Sequence, residues 1–151
     1  MKKILVMLVV ILPGMLFADS GRVGIGVNYP GVGVRYGISP RGTCELKAQF
    51  GDDIFVIGPR YYRHISSQNK LAIFAGGEVS YLTFKGDVSE GSGFVLEAFV
   101  GGEYFVAPNF GVSLDIGPAY IGLKDKDTDE IEGGVDGVIN LGLTYYFRGG
   151  K

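Results

Sequence analysis

Charges standing alone inside strand-like segments are the residues here best placed to do chemistry: Arg22, Arg35, Glu45, Lys47, Arg60, Glu78, Glu97, Glu103, Asp115 and Asp136. Each sits among small or apolar neighbours, so only the fold can pair them. Ionised groups in a confined interior must be paired or hydrated. Two chemistries follow: a salt-bridged plug, or a narrow ion or proton path. Arg60 and Glu78 fall on consecutive segments and are the first expected pair. Asp125, Asp127 and Asp129 recur at alternate positions, with Glu130 and Glu132 beyond. Carboxylates at that spacing can ligate Ca²⁺, but Glu130 stands where a loop glycine is required, and Asp136 rather than Glu occupies the twelfth position. They make a weak calcium site and a better solvated acidic link. His64 is the single histidine, beside Tyr62 and Arg63, and no Ser/His/Asp set accompanies it. Gly76-Gly77-Glu78 and Gly101-Gly102-Glu103 precede no helix, so they form no phosphate cradle and read as close-packing or bulge sites. The expectation is no enzyme, no cofactor and no metal.

The elements that must position these residues are strands. The first residues, MKKILVMLVVILPGMLFADS, have a basic start at Lys2-Lys3, a short apolar core and a break at Pro13-Gly14. That is the layout of a secretory signal over 1–18, leaving one domain over 19–151. Without the two lysines, 12 basic residues face 16 acids, a balance that argues against a nucleic-acid partner. One cysteine, Cys44, permits no intrachain disulfide. Of the 151 residues 26 are glycine, and they sit inside alternating segments where glycine ordinarily weakens a strand. Something beyond propensity must hold those strands.

Alternation recurs in eight segments, 21–29, 31–38, 43–50, 54–64, 70–84, 94–106, 110–123 and 135–147, each bounded by turn residues. Links on one side (SPRG, ISSQN, APN) are short. On the other side KGDVSEGSG and KDKDTDEIEGG are long and charged, a habit of outer-membrane barrels, although YPG and GDD are not long. Pro59 and Pro118, which lack a ladder donor, predict bulges or bends.

Alternation alone does not say which face meets water. A soluble barrel turns charge outward, whereas a membrane barrel turns an apolar band outward and keeps a polar interior. Of the six lysines after residue 18, only Lys47 lies within a segment rather than at an end or in a link. The mixed face is otherwise mostly Gly, Ser, Asn and Thr, which suits a crowded interior. The opposite face supplies Val23, Ile25, Val27, Leu71, Ile73, Val79, Leu96, Val100, Leu114, Ile116, Ile139, Leu141 and Leu143. Tyr29, Tyr36, Phe55, Tyr61, Tyr81, Phe94, Tyr104, Phe110, Tyr120, Tyr145 and Phe147 gather near segment ends, where interfacial girdles belong.

YFVAPNFGVSLDIGPAYIGL resembles the strand, short periplasmic turn and next strand of small eight-stranded outer-membrane barrels of the OmpA and OmpX type. LGLTYYF resembles their aromatic-ending last strand, by which assembly machinery recognises them, except that RGGK follows Phe147. The resemblance is one of pattern over 21–147. It implies an all-β, eight-stranded, antiparallel up-and-down transmembrane β-barrel in a bacterial outer membrane, porin-like in architecture but without a large pore. Its partners would be outer-membrane lipid, the barrel-assembly machinery and an extracellular ligand contacted through links 85–93 and 124–134. A soluble periplasmic lipocalin-like barrel holding an apolar small molecule is the alternative, and a narrow ion-conducting barrel the second. On the membrane reading Leu141→Arg is costly, and Asn140→Ser costs little.

Overall fold

A computed structural model of the chain describes residues 21–86, 90–126 and 131–147. The signal expected over 1–18 lies outside them. Among the described residues there is no helix, and every regular element is a strand: β1 (Val23–Tyr29), β2 (Gly31–Ser39), β3 (Gly42–Phe50), β4 (Ile54–Gln68), β5 (Leu71–Lys85), β6 (Glu90–Ala107), β7 (Phe110–Asp125) and β8 (Ile131–Tyr146). Consecutive strands pair antiparallel in up-and-down order, and β8 pairs with β1, so the sheet closes on itself. Closure gives every strand two neighbours over at least part of its length. That ladder holds glycine-rich segments that propensity alone would not.

The ring is staggered. Register runs from Asn28 through Gly31, Gln49, Val56, Leu82, Gly93 and Leu123 to Glu132 on β8. Asn28 itself, however, pairs with Gly142 across the β1–β8 seam. The offset is ten residues (142 − 132), which for eight strands at ordinary spacings gives a tilt of about 40°. On the side of the short turns the strand ends compensate for that tilt. On the other side the described ends of β3 to β8 lie on or beyond the same register line, so the wall rises from the β1–β2 turn towards the ends of β7 and β8. β1 has 7 residues and β8 has 16.

The described parts of links 85–93 and 124–134 are mostly strand rather than loop. β5 continues to Lys85 and β6 begins at Glu90, β7 continues to Asp125 and β8 begins at Ile131. Glycine, serine and acid mark these stretches as turns in sequence, but hairpin neighbours extend the ladder through them. The bulges expected at Pro59 and Pro118 do not occur. Register is continuous across both, and the shifts fall at Gly37/Ser39, His64/Ser66 and Phe105/Ala107, beside the short turns. Each proline instead interrupts one ladder: Gly58-Pro59 have no β5 partners and Gly117-Pro118 no β6 partners.

Inward positions alternate between bulk and glycine. A Cβ at Gly76 would lie 2.6 Å from Phe99 Cζ and closer still to the Tyr61 carbonyl, so the GGE glycine is a close-packing site. Tyr62, Phe74 and Phe99 fill that space as the buried aromatic cluster, with Tyr62 and Phe74 edge-on at 5.1 Å. Gly134, by contrast, meets nothing within 4 Å. Gly76→Leu is therefore expected to lower stability by about 1–3 kcal/mol, while Gly134→Ala stays within about 0.5 kcal/mol. Urea unfolding in detergent followed by far-ultraviolet circular dichroism checks both, and equal midpoints would contradict the packing.

Candidate functional site

One line of register carries most of the charge. Directly opposed residues read Arg35, Glu45, Arg60, Glu78, Glu97, Ala119 and Asp136 from β2 round to β8. All belong to the inward set of their strands, since side chains on neighbouring strands at paired positions share a face. Signs alternate until Glu78 meets Glu97. Like charges directly opposed destabilise a sheet, so this step needs cations within reach of both carboxylates.

Arg60 and Lys47 supply them. Lys47 Nζ lies 2.8 Å from Glu78 Oε2. Arg60 Nε lies 3.0 Å from the same oxygen, an ion-pair contact whose direction does not make a hydrogen bond. The Arg60 guanidinium also donates through Nη2 to Asp115 Oδ1 at 2.9 Å and approaches Glu97 Oε1 at 3.6 Å. Its Cζ lies over the Phe99 ring, 4.0 Å from the centroid. Asn140 completes this layer: Nδ2 donates to Asp115 and Glu97, and Oδ1 accepts from Lys47 at 3.5 Å. Ser80 donates to Glu78 Oε1 at 2.6 Å.

A second layer, nearer the short turns, centres on Arg35. Its Nε donates to Glu45 at 3.2 Å and its Nη1 to Glu103 at 3.1 Å. Tyr62 Oη donates to Glu45 Oε2, Asn28 donates to Glu45 Oε1, and Tyr146 Oη donates to Glu103. Tyr62 lies beneath both guanidiniums, 4.9 Å from Arg35 and 5.3 Å from Arg60. The aromatic cluster thus joins the layers. Across both, Arg35, Lys47 and Arg60 face the carboxylates Glu45, Glu78, Glu97, Glu103 and Asp115, all buried. Amide and hydroxyl donors make up the shortfall of cations.

Eight of the expected interior charges come together in this way, including the Arg60–Glu78 pair. Among the described residues Arg22 makes none of these ion pairs. It is half-buried at the short-turn end, where it donates to the Pro108 carbonyl and covers the Tyr146 ring at 4.5 Å. Asp136 keeps the inward register but is exposed, because β8 has no β1 beside it there; its Oδ1 accepts from Gly137 N–H. Of the calcium candidates Asp125 ends β7, and Asp127 and Asp129 lie outside the described residues. Among the described residues no three His, Cys, Asp or Glu side chains converge on a metal-sized point. His64 Nε2 lies 3.1 Å from Thr43 Oγ1, and its ring meets Phe74 edge-on.

Sequence reading missed the uncharged partners: Asn28, Tyr62, Ser80, Asn140 and Tyr146. Their signal was available, since each shares strand parity with a listed charge. The expectation that Asn140→Ser costs little is corrected by the three hydrogen bonds of that side chain. No protein-family model matches the chain, and no curated protein matches it.

Removing Arg60 leaves three buried carboxylates short of a cation. Arg60→Met is expected to cost about 3–5 kcal/mol, and Asn140→Ser about 1–3 kcal/mol. Both are read from urea midpoints in detergent. An Arg60→Met protein as stable as the parent would remove the guanidinium from the centre of the plug.

Proposed function

We propose that this chain is a bacterial outer-membrane β-barrel protein with a side-chain-plugged interior, whose role is structural or one of surface contact. The observation that carries the reading is its inverted polarity. The inward face holds the buried ion pairs, while Val27, Val79, Val100, Leu114, Ile116, Leu141 and Ile139 stand exposed on the outward face, Ile139 at 67%. In water such a surface would be a large apolar patch. In lipid it is the band that a spanning barrel requires, and closure satisfies the backbone wherever β8 lies beside β1.

Aromatic placement supports the same reading. On the staggered register the outward rings Tyr36, Tyr104, Phe110 and Tyr145 fall at one level, and Phe50, Tyr81, Phe94 and Tyr120 at another. With the tilt above, the levels are about 20–25 Å apart, close to the apolar height of outer-membrane barrels. Tyr61 falls between them. The amino-terminal segment read as a signal would deliver the chain, and the last strand, ending at Tyr146 with Phe147 next to it, would present it for assembly. A lipocalin-like role is less favoured, because charge and aromatic rings occupy the interior. A cavity of about 950 Å³ opens as a mouth between the outer strand ends, lined by Phe50, Phe84, Lys85, Glu90 and Lys126 among others. A narrow ion path is less favoured for the same reason, since Arg60 and Tyr62 are 1% and 2% exposed.

Electrophoresis in SDS of membrane-extracted protein, unboiled against boiled, is the test. Two mobilities and recovery in the outer-membrane fraction are expected, whereas free protein in the periplasmic fraction would overturn the reading. Leu141 lies near mid-band, so Leu141→Arg should cost about 2–4 kcal/mol in bilayer. Normal insertion of that variant would mean that the outward face does not meet lipid.

A further inference from the structure

We propose that the open edge of β8 takes up an extended basic peptide as an added strand. The last β1–β8 pair towards the long hairpins is Tyr29 with Leu141, yet β8 begins at Ile131. Ile131–Asn140 therefore pair with β7 on one side and with no described strand on the other. Ten residues at strand rise make an edge about 33 Å long.

The direction of its backbone groups follows from the bonds at the other end of the strand. Phe147 N–H donates across the seam to Val23, and Tyr146 N–H donates to Asn109 on the β7 side. N–H direction alternates along a strand, so Ile131, Gly133, Val135, Gly137 and Ile139 aim theirs at the open edge. Gly137 fits this, because its N–H is held by the Asp136 carboxylate next to it rather than by another strand. A Cβ added at Gly134 or Gly137 would meet nothing within 4 Å, so neither face of the sheet is crowded along this edge.

Side chains on the edge specify the occupant. The outward set is apolar, with Ile131 62%, Val135 74% and Ile139 67% exposed. The inward set carries Glu132 and Asp136, and no cation lies between 131 and 140. A second copy pairing through the same edge would bring these carboxylates together, which disfavours self-association. A strand continuing the direction of β1, with one apolar and one basic face, meets both sets and extends an existing antiparallel ladder. This deepens the surface-contact reading but depends on strand register rather than on the membrane.

The probe is a labelled decapeptide of alternating lysine and valine, followed by fluorescence anisotropy against the full protein in detergent. In antiparallel addition the valines oppose the outward β8 residues and aim their N–H groups at the edge. Saturable binding is expected, weakened at least tenfold by N-methylation of the valines and little changed by N-methylation of the lysines. Val135→Pro, which removes one edge donor, should weaken binding at least fivefold. Glu132→Lys with Asp136→Lys should shift preference to the glutamate–valine peptide. Equal binding of the two N-methylated peptides, or none by the parent peptide, overturns the proposal, and neither result needs a variant to fold. Fractionation of the same protein separates the two readings: recovery in the outer membrane without peptide binding defeats only the added strand, and peptide binding by protein found free in the periplasmic fraction defeats only the membrane assignment.

Discussion

The Arg60 guanidinium is the interaction on which the interior depends. It sits where two carboxylates of one register line, Glu78 and Glu97, face each other across β5 and β6, with Asp115 opposite. A lysine head there would be a point charge. The planar guanidinium can spread over Phe99 while aiming its nitrogens at separate carboxylates. Lys47 and Asn140 serve the same oxygens from β3 and β8, so the layer ties strands from opposite sides of the ring. Buried ion pairs are weak evidence for stability when compared with apolar replacements. What this one supplies is a condition on register, because sliding any contributing strand by one residue turns its charge outward.

Glycine and the charge layers are parts of one solution. Eight strands enclose little more than side-chain volume. Arginine, tyrosine and phenylalanine fit inside only where an inward neighbour lacks a Cβ. Gly33 faces the Glu45 carboxylate, and Gly76 faces Phe99. The local weakness of glycine as a strand residue is offset by the bulk it admits and by a ladder that closes.

Closure with a ten-residue stagger also decides the shape of the wall. Turn-side ends follow the tilt while the described strand ends on the other side do not, so the accumulated offset appears at one place, the β8–β1 seam. There the inside-outside logic fails. Glu132, Asp136 and Val138 keep the inward parity of their strand, but no opposite wall covers them. The same residue type is therefore a buried plug carboxylate at 115 and a solvated edge carboxylate at 136.

Strand number, order and the apolar and polar faces were legible in the sequence, because period-two alternation is local and survives without knowledge of neighbours. So were eight of the interior charges, since parity alone assigns them a face, and the Arg60–Glu78 pair, since the two segments are adjacent. Strand ends were not legible where glycine and acid imitate turns, as at Glu90–Gly93 and Ile131–Gly134. Nor was the behaviour of Pro59 and Pro118, whose missing donors are absorbed on one ladder without a register shift. Parity put Asn140 and Tyr146 on the inward face, but their partners and the exposure of Asp136 were beyond local pattern. These depend on pairing between β8 and the far side of the ring, and a stagger of ten residues is a property of the closed sheet that no single segment encodes.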